Sequence, residues 1–247
     1  MSMQGGAQLG LLDDTAPPDA AWRVRASARA RRLAVRVLPG GFVEIVVPRG
    51  TRPHAVEQFV TRHRRWIERT LDQYRPAGAA ALEQLPDRLH FAATGRTYEI
   101  RYAGGTAAPR LVAGTQVLTM TGAIERKALA HHALQRFTMR EAHAAFAPWL
   151  AELSAATGLQ YERVQIRRQR TRWGSCSPSG TISLNACLMF QPAPVVNYLL
   201  VHELAHTRHM DHSRRFWKLV ERFEPRWREL DAALTRGWRE VPAWALG

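Results

Sequence analysis

Val195-Val196-Asn197-Tyr198-Leu199-Leu200-Val201-His202-Glu203-Leu204-Ala205-His206 is the stretch on which the reading of this chain turns. The run before His202 reads as a buried helix leading straight into the histidines. Two histidines four apart on a helix project from the same face, one turn above the other. At that spacing two imidazoles can grip one Zn2+, and Glu203 lies close enough to act on a water there. Two His and a Glu in apolar surroundings are costly to bury without a partner, which weighs against a chance occurrence of the pattern.

A catalytic zinc usually takes three protein ligands and leaves one position open. The downstream candidates are His209, Asp211, His212 and Glu221. On a straight helix His202 and His209 lie roughly 10.5 Å apart along the axis, too far for three imidazoles to converge at ~2.1 Å on one ion. The helix is expected to end near Met210, so His212 lies where the chain can fold back. His212 is therefore the expected third ligand, His209 the fallback, and Asp211 a ligand or an orienting partner. Glu203 is the expected general base. Tyr198 or an arginine of the 167–172 cluster is the candidate for stabilising an oxyanion.

Outward from this core, Tyr161–Gln169 alternates through Val164 and Ile166 and reads as a strand. Ser177-Pro178-Ser179-Gly180 is a turn, and Thr181–Asn185 reads as the returning strand. Asp211 or Ser213 caps a helix bearing Phe216, Trp217, Val220 and Phe223, closed by Pro225. The tail's Trp227, Trp238 and Trp244 are expected to pack back on the domain. Upstream, a helical pattern runs from Glu125 to Thr157 and stops at Gly158. Its His131, His132 and His143 read as partly exposed. Further strands are expected over 89–102 and 109–121, and a loop over Arg75–Asp87.

Nearer the start, Leu33, Val35 and Val37 alternate, Pro39-Gly40-Gly41 turns the chain, and Val43, Ile45 and Val47 alternate again. That is a hairpin. Thr51 and Pro53 then open a helix as cap and early-turn proline. Val56, Val60, Ile67 and Leu71 form its apolar face, and Trp66 reads as core. The class is α+β. The expected organisation is a disordered acidic tail over 1–20, a β-rich region with one helix over 21–124, and the metal-site domain over 125–247.

The chain has 247 residues, 46% of them hydrophobic, enough for one large domain or two small ones. No stretch approaches the ~18 apolar residues of a membrane span. The first twenty residues lack the basic start of a secretory signal. Two cysteines make no disulfide framework, which points to reduced thiols and a cytoplasmic setting. The net charge is +14, from 35 basic and 21 acidic residues, and it suits contact with a polyanion such as DNA.

Arg172-Trp173-Gly174-Ser175-Cys176, Leu184-Asn185, His202-Glu203-Leu204-Ala205-His206, Met210-Asp211-His212-Ser213 and Phe216-Trp217 together resemble the YgjP-like metallopeptidase family, itself similar to the SprT-type zinc proteases. The resemblance is strong over about 161–224 and weaker over 22–75. It implies a zincin-like domain, with a small sheet whose edge can pair with an extended substrate over an active-site helix. It also implies zinc on His202, His206 and His212, Glu203 catalytic, and a protein or peptide substrate. Trp173 and its neighbours would lie near the site, with Asn185 close by. SprT-type proteases act on DNA-associated proteins, and the charge is compatible with such substrates. The alternative is a non-catalytic nucleic-acid-binding module with a closed structural zinc, which calls for a fourth ligand, usually Cys.

Overall fold

The computed structural model describes residues 21–38, 41–74, 84–169 and 171–246. The tail of 1–20, Pro39-Gly40 of the expected turn and residues 75–83 of the expected loop lie outside the described residues. The chain divides into two compact units, Met1–Arg75 and Pro76–Gly247.

In the first unit, strands β1 (Ala21–Ser27), β2 (Ala34–Leu38) and β3 (Phe42–Pro48) form a sheet of order β1-β3-β2. β2 and β3 make the expected antiparallel hairpin, while β1 runs parallel to β3. Val43, Ile45 and Val47 share one face of β3 and pack with Val56, Val60, Ile67 and Leu71 of helix α1 (Pro53–Tyr74). Thr51 does not cap the helix with its hydroxyl; it donates back to the Pro48 carbonyl and closes the strand-to-helix turn. Trp66 is not core. It is 43% exposed, because it sits about 100° around the helix from Ile67.

In the second unit, β4 (Arg88–Phe91), β5 (Arg96–Gly104), β6 (Arg110–Ala113) and β7 (Val117–Gly122) form a sheet of order β4-β5-β7-β6. Phe91 and Tyr98 from this sheet pack on Phe137 of the long helix α2 (Lys127–Thr157), with ring centroids 6.1 and 5.3 Å apart. That packing puts the sheet in the same compact unit as α2. α2 ends at Gly158, whose left-handed φ of 71° returns its N–H to the Ser154 carbonyl. His132 and His143 are exposed on it, but His131 is buried.

A third sheet combines β8 (Arg163–Arg167), β9 (Gly174–Cys176) and β10 (Thr181–Asn185) in the order β8-β10-β9. The turn at 177–180 joins β9 to β10, which therefore returns antiparallel to β9 and runs parallel to β8. A 3-10 turn over Ala186–Phe190 leads to α3 (Ala193–Ala205), then α4 (Arg214–Phe223), α5 (Trp227–Arg236) and α6 (Ala243–Leu246). The C-terminal segment packs back on this unit. Trp238 stacks on Trp173 at 3.9 Å, Trp227 stacks on Trp217 at 4.1 Å, and Trp244 lies edge-on to Phe190. Among the described residues no helix is long and apolar enough to cross a membrane.

Candidate metal centre

Helix α3 is apolar around most of its circumference, and its histidine and carboxylate, His202 and Glu203, stand at its C-terminal end. It stops at Ala205, with His206 as its C-cap, rather than continuing towards Met210. The N–H groups of Thr207 and Arg208 bond the carbonyls of Leu204 and Ala205, three residues back, so the last turn tightens. The chain then reverses before α4 and returns His212 to the helix end. His202 Nε2 lies 3.2 Å from His206 Nε2 and 3.2 Å from His212 Nε2. Among the described residues this trio is the group able to converge on an ion, with its nitrogens all within 4.8 Å of one another.

The hydrogen bonds behind the rings assign their tautomers. His206 Nδ1 sits 3.0 Å from the His209 carbonyl, which can only accept, so Nδ1 carries the proton. Tyr198 donates its hydroxyl to Asp231 Oδ1 at 2.7 Å. Its oxygen is then left to accept from His202 Nδ1 at 3.3 Å. Both Nε2 atoms are thereby left as lone pairs facing each other across 3.2 Å. That arrangement is repulsive unless a cation lies between them, so the donor set fits a metal ion. Burial, helped by the neighbouring histidines, pushes His202 down to about 3. Burial also lowers His206. Both rings are thus neutral at physiological pH, as metal ligands must be.

Glu203 is 4% exposed, and among the described residues its Oε2 has no partner. Burial pushes its carboxyl up to about 8, against the pull of Arg172. Its other oxygen lies against Gly174 of β9, where a Cβ would come within 2.5 Å of Oε1. Glycine at 174 is what leaves room for this carboxylate beside the sheet edge.

The other candidates take different places. His209 contributes its carbonyl, and its ring is not part of the trio. Asp211 is exposed, and hydrogen bonds from Ser213 hold its carboxyl below the usual range. Glu221 is exposed and paired with Arg228 at 3.2 Å. Tyr198 is fully buried behind His202, with its hydroxyl committed to Asp231. Trp173 is buried in its stack with Trp238. Asn185, also fully buried, donates to the Gln169 and Arg172 carbonyls and accepts from Cys187 N–H, tying the 169–172 segment to β10. Both cysteines are free thiols, and neither joins the trio. Burial lifts Cys176 to about 11 and Cys187 to about 12. Sequence reasoning missed Asp231 and gave no role to Gly174 or to Phe216, whose ring stacks on His206 at 4.4 Å. The only signal for Asp231 was that a buried tyrosine hydroxyl needs a partner.

Residues 31–237 match the YgjP-like metallopeptidase domain. The chain belongs to that family. The family places it among metal-dependent peptidases, and so among hydrolases. Among solved structures, the metallopeptidase zymogen of Pyrococcus abyssi abylysin is 30% identical over a match covering 34% of this chain and 85% of that one, with a TM-score of 0.32. No curated protein matched the chain.

Proposed function

We propose that this family member is a zinc-dependent peptidase in which His202, His206 and His212 hold the metal and Glu203 is the general base. The observation that carries the reading is the convergence of three ring nitrogens beside a buried carboxylate with an unpartnered oxygen. Zinc held there would supply Lewis acidity, acidifying a water towards ~7 and polarising a carbonyl.

The chain's own residues do the rest. Asp231 and Tyr198 orient His202, and the His209 carbonyl orients His206. Glu203, kept ionised against its burial by a cation held on the trio, takes the proton of the attacking water on its carboxylate and delivers it to the departing amine nitrogen. β9 is an edge strand of its sheet. Trp173 and Ser177 bond to β10, so by the antiparallel alternation Gly174 and Cys176 turn their backbone groups to the open side. An extended peptide added there runs beside Glu203, the edge-over-helix arrangement of a zincin-like domain. The free thiols suit a reducing compartment such as the cytoplasm. The +14 charge supports substrates held near a polyanion such as DNA.

The test combines elemental mass spectrometry with a protease assay. Wild-type protein is expected to carry about one zinc per chain, and His202→Ala with His206→Ala none. Glu203→Gln should keep the zinc and lose roughly 10²- to 10⁴-fold in peptide hydrolysis. Full activity in Glu203→Gln would overturn the assigned role, and a wild type without stoichiometric metal would overturn the site.

A further inference from the structure

Charge is distributed unevenly along the chain. Residues 21–74 hold twelve arginines against four acidic residues, a net +8 in 54 residues. Residues 76–247 carry the same +8 over 172. Within the first unit the arginines differ in what they face. On the sheet, Arg25 and Arg36 share Glu44, at 3.2 and 3.9 Å. On α1, Arg64 pairs with Glu68 at 2.9 Å. Arg62, Arg65 and Arg69, all exposed, make no ion pair among the described residues.

These three surround Trp66. On a helix, Arg62 lies one turn before it, Arg69 nearly one turn after it, and Arg65 completes the face one turn before Arg69. Trp66 is 43% exposed, and among the described residues no ring or guanidinium packs on its indole. Stability does not account for this residue. An exposed helix position is served better by Ala, Glu or Lys than by a large aromatic left in water.

We infer that the Arg62–Arg65–Trp66–Arg69 face of α1 binds single-stranded nucleic acid. The guanidinium groups match a phosphate backbone bidentately, and an indole presented among them gives an unpaired base a stacking platform. An acidic peptide would use the charges but leave the indole unexplained. The site is distinct from the metal centre and does not rest on the peptidase reading.

The test is fluorescence anisotropy with the full chain and a labelled single-stranded DNA of about 15 nucleotides, at several salt concentrations. Polyglutamate serves as the acidic-peptide comparison and phosphatidylserine vesicles as the membrane comparison. Replacing Arg62, Arg65 and Arg69 by Gln is expected to flatten the log–log salt slope by about 2, since each phosphate contact on a single strand contributes ~0.7. Trp66→Leu should weaken binding roughly five- to a hundred-fold and leave that slope unchanged. Arg64→Gln should stay near wild type. Circular dichroism melts check that each variant is folded, which these surface positions permit. The inference is overturned if the wild type does not bind the strand, or if the triple variant keeps the wild-type slope. It is equally overturned if Trp66→Leu is neutral while polyglutamate or the vesicles bind as tightly as the strand.

Discussion

Helix α1 keeps Val56, Val60, Ile67 and Leu71 against its sheet and turns arginines outward, whereas α3 buries nine of its thirteen residues and carries its histidine and carboxylate at one end. On an amphipathic helix, water explains the polar residues, so the anomaly is an exposed apolar one, Trp66. On a helix apolar around most of its circumference, water explains none of them, so His202, Glu203 and the capping His206 are the anomaly. The same rule thus points to a ligand in both places, from opposite sides.

The largest effect is expected at Gly174. An alanine Cβ there meets Glu203 Oε1 at 2.5 Å and its Cγ and Cδ at 3.0 Å, all atoms of a side chain that can swing aside. Folding and metal content should therefore survive, while hydrolysis falls by roughly 10²-fold or more as the base is displaced. Retained activity would mean that the carboxylate has room elsewhere and does not act from this position.

Next comes a pair of neighbours on α1. Ile67 is fully buried and Trp66 exposed. Ile67→Ala should cost about 2–5 kcal/mol of unfolding free energy, and Trp66→Ala no more than about 0.5 kcal/mol. Chemical denaturation followed by circular dichroism measures both. Equal losses would make Trp66 a packing residue and erase the contrast between the helices.

Smaller still is the effect expected behind the metal site. Asp231→Ala removes the acceptor that commits the Tyr198 proton, so His202 loses its fixed tautomer. Zinc affinity, read by chelator competition, should fall about 10- to 100-fold without loss of fold. Tyr198→Phe should do the same, and the two together should cost little more than either alone, since they act as one chain.

Much of the fold and of the candidate site is legible in the sequence, and each exception has a physical cause. The spacing of His202 and His206, the reach needed for His212, the β2–β3 hairpin and the Gly158 stop are short-range patterns, visible within a dozen residues. β9 is three residues long and shows no alternation, so its pairing with β10 left no trace. The early end of α3 depends on bonds that tighten its last turn, which no residue type announces. Asp231 meets Tyr198 across 33 positions, through the packing of α5 on α3. Trp66 reads as core from its aromatic character, whereas helical phase sets it about 100° from Ile67 and so at the surface.

The smallest effect concerns His131, the histidine of α2 that is buried rather than half-exposed. Burial lowers its pKa, with Lys127 adding to the shift and a bond to the Gln84 carbonyl opposing it. In the unfolded chain this ring takes up its proton near pH 6.5. In the folded chain it does so only at lower pH. Between those two values the unfolded state holds more protons, so acidification favours unfolding and stability rises with pH. His202 and His206 contribute in the same direction in metal-free protein. The share of His131 is isolated by comparing wild type with His131→Leu in denaturant melts at pH 7.5 and below 6. The wild type should lose more stability on acidification than the variant. If the two lose equally, His131 accepts its proton in the folded state, and the contrast drawn from burial then fails at this third helix.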